Sequence, residues 1–320
     1  MRKILITGIT GFAGSFLAEY LIKTQPDVKI SGTYIVEKSL ENVASIKEKL
    51  QLEKVDLTDF SSVNQLIKKC TPDVVFHLAA ITTVVEGFQN PSLVISNNAT
   101  AQINILESLR QENLLQSKFI LISSANVYGN VKPENLPIDE STPLMPDNPY
   151  AVSKITQDFI GLQYFLTYGM PVIRLRPFNH LGPRLSPQIS ISHFAQQIAM
   201  IEKGKQEAVL KVGNLSTKRD FSDVHDIVRA YALAAEKGKP GDVYNIGSGT
   251  AYKIEDILNK LLKMAKVEIK IVPDESRMRP SDIQELRCDA TKFMSLTGWK
   301  TEIPLDQTLK DTLEYWRKQV

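Results

Sequence analysis

Two short stretches of the sequence bring together side chains that can handle protons. The first, SSANVYG at residues 123–129, follows an apolar run and contains Ser124 and Asn126 but no carboxylate. The second, NPYAVSK at residues 148–154, places Tyr150 and Lys154 four residues apart. Residues at this spacing share one face of a helix, so the ammonium of Lys154 is expected to lie near the phenol of Tyr150.

A cation beside a phenol favours its ionised form, whose ordinary pKa is about 10. We therefore expect Lys154 to lower the pKa of Tyr150 and make the phenol a usable acid or base near neutral pH. The neutral hydroxyls and amide of the first stretch suit the binding and polarisation of a carbonyl group. This combination predicts carbonyl chemistry without a catalytic carboxylate.

A glycine-rich stretch near the N-terminus predicts a dinucleotide site. Gly8, Gly11 and Gly14 are spaced three apart in TGITGFAG, between an apolar run and a helical pattern. A strand, a turn without β-carbons and a helix N-terminus let backbone N–H groups approach a pyrophosphate. The next strand ends at residues 32–36 with neither an acidic residue nor an arginine, and Glu37 and Lys38 have opposite charges. NAD and NADP therefore both remain open.

The elements that must position these residues alternate along the first half of the chain. Predicted strands lie at residues 3–7, 29–34, 52–56, 74–78, 118–123 and 172–175, and predicted helices at 16–23, 63–70, 94–112 and 151–168. Strands that are apolar on both faces and separated by helices indicate a parallel sheet covered on each side. The expected fold is α/β, with a Rossmann-type doubly wound parallel sheet.

The second half of the chain has shorter elements and predicts a smaller C-terminal substrate-binding lobe. We expect residues 1–178 to form the NAD(P)-binding Rossmann domain. Residues 224–250 are expected to return to that domain, because residues 243–246 have the pattern of another buried strand. Residues 179–223 and 251–320 then form the lobe.

Composition excludes several classes of function. The 38 basic and 36 acidic residues nearly cancel, and no basic run is interleaved with aromatics, so we do not expect a nucleic-acid partner. Cys70 and Cys288 have no CxxC or histidine companions, which argues against a disulfide framework or a metal site. No run approaches the ~20 apolar residues of a membrane span. We expect a soluble protein of the reducing cytoplasm, with no metal and no membrane partner.

The chain resembles the extended short-chain dehydrogenase/reductase family. Four of its motifs occur here in order: TGxxGFxG at residues 7–14, HLAA at 77–80, a serine after the fifth predicted strand, and YxxxK at 150–154. The resemblance implies that Ser124 hydrogen-bonds the substrate oxygen, Tyr150 transfers the proton, and Lys154 binds the cofactor ribose and tunes Tyr150. We interpret His77 as a buried core histidine, not as a general base.

The same resemblance predicts the cofactor contacts. Asp56 has two interpretations, because it is placed either to bind the adenine edge or to cap a helix starting near Phe60. The predicted cofactor-binding residues, besides Tyr150 and Lys154, are Gly8, Gly11, Phe12, Ala13, Gly14, Asp56, Leu57, Leu78, Ala79, Ala80 and Asn98.

Segments in the C-terminal half resemble the nucleotide-sugar branch of this family. That branch implies that Asn179, Arg219 and Arg279 bind the diphosphate of a sugar nucleotide, which suits planar guanidinium groups, and we add Asn126 to the substrate-binding residues. It also implies a homodimer formed through the helices at residues 94–112 and 151–168.

The runs FNHLGP and RPSDIQEL look most like enzymes that act on GDP-mannose derivatives. The dehydratases of that group carry a glutamate two positions after the catalytic serine or threonine, where this chain has Asn126. An amide does not exchange protons at neutral pH. We therefore expect NADPH- or NADH-dependent reduction of the 4-keto group of a nucleotide-activated 6-deoxyhexose, namely GDP-4-dehydro-6-deoxy-D-mannose to GDP-6-deoxymannose (GDP-rhamnose). The alternatives are a nucleotide-sugar 4-epimerase, whose motif SANVYG resembles, and a non-catalytic NAD(P)-sensing protein.

Overall fold

The structure, a computed structural model, describes residues 1–275 and 283–320. Its strands are Lys3–Thr7 (β1), Lys29–Tyr34 (β2), Leu50–Lys54 (β3), Val74–His77 (β4), Lys118–Ile122 (β5), Val172–Pro177 (β6), Asn179–Leu181 (β7), Val209–Val212 (β8), Lys218–Asp223 (β9), Val243–Ile246 (β10), Ala251–Lys253 (β11), Lys270–Pro273 (β12) and Glu285–Leu286 (β13). Its α-helices are Phe12–Thr24 (α1), Phe60–Cys70 (α2), Val84–Gln89 (α3), Pro91–Gln111 (α4), Pro149–Tyr168 (α5), Ser190–Glu202 (α6), Val224–Lys237 (α7), Ile254–Lys263 (α8), Thr291–Thr297 (α9) and Leu305–Gln319 (α10). In addition, 3₁₀ helices span Glu37–Lys49, Ala125–Tyr128 and Pro133–Asn135.

Seven parallel strands form the central sheet, in the order β3-β2-β1-β4-β5-β6-β10. This is the doubly wound order, so the predicted fold class is confirmed. The strand order reverses between β1 and β4, and such a reversal opens a crevice at the carboxyl ends of the strands. The glycine turn and the HLAA loop both begin at this edge.

Alternate side chains of each strand pack on opposite faces of the sheet, which explains the continuous apolar runs in the sequence. In β1, Ile4 and Ile6 belong to a core that includes α1 and α7. Leu5 belongs to a second core, formed with α2 and α4 on the other face. The predicted bounds of β1 and β2 are confirmed, whereas β3 begins and ends two residues earlier than predicted.

The C-terminal half builds two small sheets and a third core. Strands β11, β9 and β13 form one sheet, to which β7 is joined through β9, and β12 pairs with β8. Ile198 of α6, Leu258 of α8 and Leu313 of α10 pack together in the third core. Strand β10 lies at the edge of the central sheet beside β6. Over the described ranges, no helix is both long and apolar enough to cross a membrane.

Candidate functional site

The turn between β1 and α1 leaves an open helix N-terminus. Gly8 has a φ of 67°, and a Cβ atom there would lie 3.0 Å from the Cα of Ala79. A Cβ atom at Gly14 would lie 2.3 Å from the carbonyl oxygen of Gly8. The N-cap of α1, Gly11, supplies no side-chain cap to the first turn, whose amides can therefore face phosphate oxygens. The turn fits the pyrophosphate of a dinucleotide.

The first turn of α1 also contacts the C-terminal half of the chain. Phe12 and Ala13 are half-buried there. The ring of Phe12 stacks on the imidazole of His180, with ring centroids 5.6 Å apart and planes 9° apart. His180 follows Asn179 in β7, so this stack joins the glycine turn to a strand that carries a predicted substrate-binding residue.

The loop after β4 lies against the glycine turn, and Asn98 holds it. Residues 78–80 are half-buried, and the amide of Ala79 donates to Oγ1 of Thr7 at 3.2 Å. Asn98 of α4 is fully buried. Its side chain accepts a hydrogen bond from the amide of Ile81 at 2.8 Å and donates one to the carbonyl of Ile81 at 3.0 Å. Asn98 therefore sets the path of the loop that faces the glycine turn.

The residues that follow β2 do not distinguish between NAD and NADP as the cofactor. Ile35 and Val36 are exposed apolar side chains. Glu37 forms an ion pair with Lys54 at 3.0 Å. With the carboxylate of Glu37 paired to Lys54, the site is compatible with both NAD and NADP.

Asp56 and Leu57 follow β3 at the same edge of the sheet. Asp56 is exposed, and its Oδ1 accepts hydrogen bonds from the amide and the hydroxyl of Thr58 at 2.9 and 2.7 Å. The N-cap of α2 is Asp59, whose carboxylate accepts from the amides of residues 61 and 62. The alternative in which Asp56 caps this helix was therefore wrong.

Ser124, Tyr150 and Lys154 are almost wholly buried, and Tyr150 and Lys154 lie one turn apart on helix α5. Ser124 follows β5 and caps the 3₁₀ helix Ala125–Tyr128, where its hydroxyl accepts from the amide of Asn126 at 3.2 Å. A hydrogen bond also joins the Ser124 side chain to the phenol of Tyr150. The arrangement presents two neutral hydroxyls side by side, which is suited to binding and protonating a carbonyl oxygen.

Burial controls the protonation of this group. Burial lowers the pKa of Lys154 to about 7, although the charge of Asp158 acts in the opposite direction. Burial raises the pKa of Tyr150, against the smaller effect of its hydrogen bond with Ser124. The expectation that Lys154 lowers the pKa of Tyr150 was therefore wrong, because desolvation of the phenolate dominates. The phenol is protonated at neutral pH and is ready to act as an acid.

His77 belongs to the buried network beneath these residues. Burial, with a smaller effect from Lys154, lowers the pKa of His77 to about 3, so its imidazole is neutral. Its Nδ1 lies 2.9 Å from Oγ1 of Thr7, and its Nε2 lies 3.2 Å from Nε2 of Gln157. The interpretation of His77 as a core histidine is confirmed. Sequence reasoning missed Gln157, whose only signal was its position one helical turn after Lys154.

The predicted substrate-binding residues come from separate segments. Asn126 is half-buried in the 3₁₀ helix that follows Ser124. Asn179 of β7 and Arg219 of β9 are half-buried in one small sheet, since β9 pairs directly with β7. Arg279 falls outside the described residues.

A protein-family model described as GDP-mannose 4,6 dehydratase matches residues 5–312 of the chain. The chain is 34% identical to the GDP-6-deoxy-D-mannose reductase of Pseudomonas aeruginosa over 319 residues, covering 100% of this chain and 98% of that protein. It is 29% identical to GDP-mannose 4,6 dehydratase 2 of Arabidopsis thaliana, covering 97% of this chain and 85% of that protein.

Solved structures give similar results. The structure of RMD from Pseudomonas aeruginosa complexed with NADPH matches with a TM-score of 0.87 and 34% identity, covering 100% of both chains. A UDP-glucose 4-epimerase of Thermus thermophilus in complex with NAD matches with a TM-score of 0.88 and 26% identity, again over 100% of both chains. Nicotinamide-dependent enzymes of the sugar-nucleotide class therefore share this fold along its whole length.

Proposed function

Because the chain belongs to the GDP-mannose 4,6-dehydratase family of extended short-chain dehydrogenases/reductases, which are NAD(P)-dependent enzymes, we propose that it is a reductase. Its substrate is GDP-4-dehydro-6-deoxy-D-mannose. The enzyme reduces the 4-keto group of this sugar and releases GDP-6-deoxy-D-mannose. The observation that carries the proposal is the hydrogen-bonded pair of Ser124 and Tyr150 beside a turn without carboxylates. Asn126 stands where the related dehydratases place a glutamate, so water removal lacks its acid–base group.

In this proposal the chain's own residues handle the proton. The bound dihydronicotinamide would supply a hydride to C4 of the sugar. Tyr150, which its raised pKa keeps protonated, donates its proton to the sugar oxygen as negative charge develops there. Ser124 donates a hydrogen bond to the same oxygen, and Lys154 binds the ribose hydroxyls and stabilises the phenolate left on Tyr150.

We assign the two ligands to different parts of the chain. Residues 1–178 and 224–250 would hold NADPH or NADH through the glycine turn, the loop after β4 and residues 56–57. Residues 179–223 and 251–320 would hold the sugar nucleotide, with Asn179, Arg219 and Arg279 near its diphosphate and Asn126 near its sugar. The position of β10 in the central sheet supports this division.

Incubation of the purified protein with GDP-4-dehydro-6-deoxy-D-mannose should oxidise NADPH, NADH or both, measured as loss of dihydronicotinamide absorbance in parallel assays. GDP-mannose is the matched control substrate and should give no keto-sugar product, because the site lacks the dehydratase carboxylate. If neither NADPH nor NADH lost absorbance, the reductase proposal would be overturned. NAD released from the denatured protein in that case would favour the 4-epimerase, which the similarity to the Thermus thermophilus epimerase also suggests.

The surface of α4 and α5 supports a homodimer. Ile103 on α4 and Phe159 and Leu166 on α5 are exposed apolar side chains, and these two helices pack against each other. Phe165, on the same helix α5, packs inwards against a core of the central sheet instead. Exposed apolar side chains on two helices that pack together are typical of a subunit interface.

The variant Phe159→Glu should convert a dimer into a monomer, because it buries a carboxylate in an apolar interface. Sedimentation velocity measures the change as a halving of the molecular mass. Phe60→Glu is the matched control, since Phe60 is an exposed phenylalanine on α2 and its replacement should leave the mass unchanged. A wild-type protein that sediments as a monomer would contradict the dimer.

The two free cysteines, Cys70 and Cys288, support a place in the reducing cytoplasm.

A further inference from the structure

Gln157 makes a direct contact with Lys154. It is fully buried in α5, and its side-chain oxygen Oε1 accepts a hydrogen bond from Nζ of Lys154 at 2.7 Å. The two residues are one helical turn apart, so their side chains lie on the same face of the helix and can contact each other. The amide takes one of the three ammonium hydrogens and leaves two for other acceptors.

The position of the Gln157 amide is determined by groups on two other elements. Its nitrogen Nε2 donates to the backbone carbonyl of Asn98 in α4 at 2.9 Å and lies 3.2 Å from Nε2 of His77 at the end of β4. The backbone carbonyl of Gln157 accepts from the side chain of Gln102 at 2.9 Å. A flipped amide would place its oxygen against the carbonyl of Asn98, which can only accept. The side-chain oxygen must therefore face Lys154.

The tautomer of His77 agrees with this orientation. Because Nε2 of Gln157 is a donor, Nε2 of His77 must be the acceptor, and its proton lies on Nδ1. That proton is donated to Oγ1 of Thr7 at 2.9 Å. The same Oγ1 accepts from the amide of Ala79, in the loop that faces the glycine turn. A chain of neutral groups thus connects the cofactor loop to Lys154.

We propose that Gln157 is a positioning residue that holds the ammonium of Lys154 where it can reach the cofactor ribose and the phenol of Tyr150. The inference rests on the proposed function, in which Lys154 has these two tasks. A neutral amide suits the position because it directs the ammonium without adding a second negative charge. A carboxylate there would bind the ammonium as a tight ion pair and draw it away from the ribose.

In the described part of the chain, the charged and titratable groups near Lys154 that the contacts identify lie on α5, β4 and β6. Asp158 and Tyr150 lie on the same helix, and the neutral His77 lies at the end of β4. The carboxylate of Asp158 is itself bound by the guanidinium groups of Arg174 and Arg176 in β6. Gln157 is therefore the neutral acceptor among these neighbours that contacts the ammonium directly.

The variant Gln157→Met keeps the length of the side chain and removes both hydrogen-bonding groups. We expect kcat to fall by about 10- to 100-fold, with little change in KM for the sugar nucleotide, because a displaced ammonium affects the reacting geometry most. We expect weaker NADPH binding in fluorescence titrations of the protein without substrate. The alkaline limb of the kcat profile should move to lower pH, because the ammonium loses an acceptor that favours its charged form.

Gln157→Glu should move the same alkaline limb in the opposite direction, by about one pH unit or more, because a carboxylate stabilises the ammonium. Gln163→Met is the matched control on the same helix. Among the described residues, Gln163 is exposed and its side-chain amide donates to Thr167, one turn further along, so the variant should leave kcat, cofactor binding and pH profile unchanged. Circular dichroism checks the folding of each variant, and Gln157→Glu alone carries the test if Gln157→Met is misfolded.

Folded Gln157 variants with the wild-type pH profile, kcat and NADPH affinity would overturn the inference. The two proposals fail in different ways. A wild-type enzyme without reductase activity overturns the proposed function, whereas an active wild-type enzyme with insensitive Gln157 variants overturns only the role of Gln157. NMR titration of ¹³C-labelled lysine, with the Lys154 signal assigned by its loss in Lys154→Arg, measures the shift in both variants without any substrate.

Discussion

Replacing Tyr150 with phenylalanine should lower kcat for carbonyl reduction by about 10²–10⁴-fold, the usual contribution of a positioned general acid. The substitution removes only the phenol oxygen, which is hydrogen-bonded to Ser124, and keeps the buried ring. The Kd for NADPH should change little, because the proton donor is needed for the chemical step and not for binding the dinucleotide. Steady-state kinetics measure the first quantity and fluorescence titration the second.

Tyr164→Phe is the matched control for this experiment. Tyr164 lies on the same helix, and its hydroxyl donates to Oε1 of Glu107 at 2.6 Å. Tyr164→Phe therefore deletes the equivalent phenol oxygen at a position where its partner is Glu107 and not Ser124. We expect wild-type kcat from this control. If Tyr150→Phe also retained wild-type kcat, the proton would have to come from another group, and the proposed role of the Ser124–Tyr150 pair would be wrong.

Much of the fold was predictable because its determinants are local. Strand β1 is apolar on both faces and is followed directly by the glycine turn, so its end is visible in the sequence. Strand β3 lies at the edge of the sheet, and all of its residues are exposed or half-buried. A strand of this kind has no continuous apolar run to mark its ends, which explains the shift of two residues.

In the candidate site, too, local features were predictable from the sequence and features that depend on the tertiary structure were not. The spacing of Tyr150 and Lys154 predicted their shared helix face, but not the direction of the pKa shift of Tyr150. That direction depends on how deeply the phenol is buried, and desolvation outweighs the effect of the hydrogen bond with Ser124. The contacts of Gln157 with His77 and Asn98 join residues that are far apart in the chain, and no local pattern reports them.

Replacing Asp158 with leucine should lower the free energy of unfolding by about 3–5 kcal/mol, the usual effect of removing one partner from a buried ion pair. Asp158 is fully buried in α5, and its Oδ1 accepts from Arg174 at 2.8 Å. Arg176 donates to both of its oxygens, at 2.9 and 3.2 Å. Without the carboxylate, two guanidinium charges remain in the interior with one fewer acceptor each. Urea unfolding, followed by circular dichroism, measures the loss.

Asp306→Asn is the control for this experiment, because Asp306 pairs with Lys260 on the surface, where 64% of its side chain is exposed. An exposed pair contributes about 0–1 kcal/mol, so the control should be almost neutral. A triple variant with Asp158→Leu, Arg174→Met and Arg176→Met should recover part of the stability lost in Asp158→Leu, because no unpaired charge then stays buried. If Asp158→Leu cost no more than the surface control, the two arginines would already be stabilised by their other acceptors, the carbonyl of Gly241 and the hydroxyl of Tyr128. Asp158 would then contribute chiefly through its charge near Lys154.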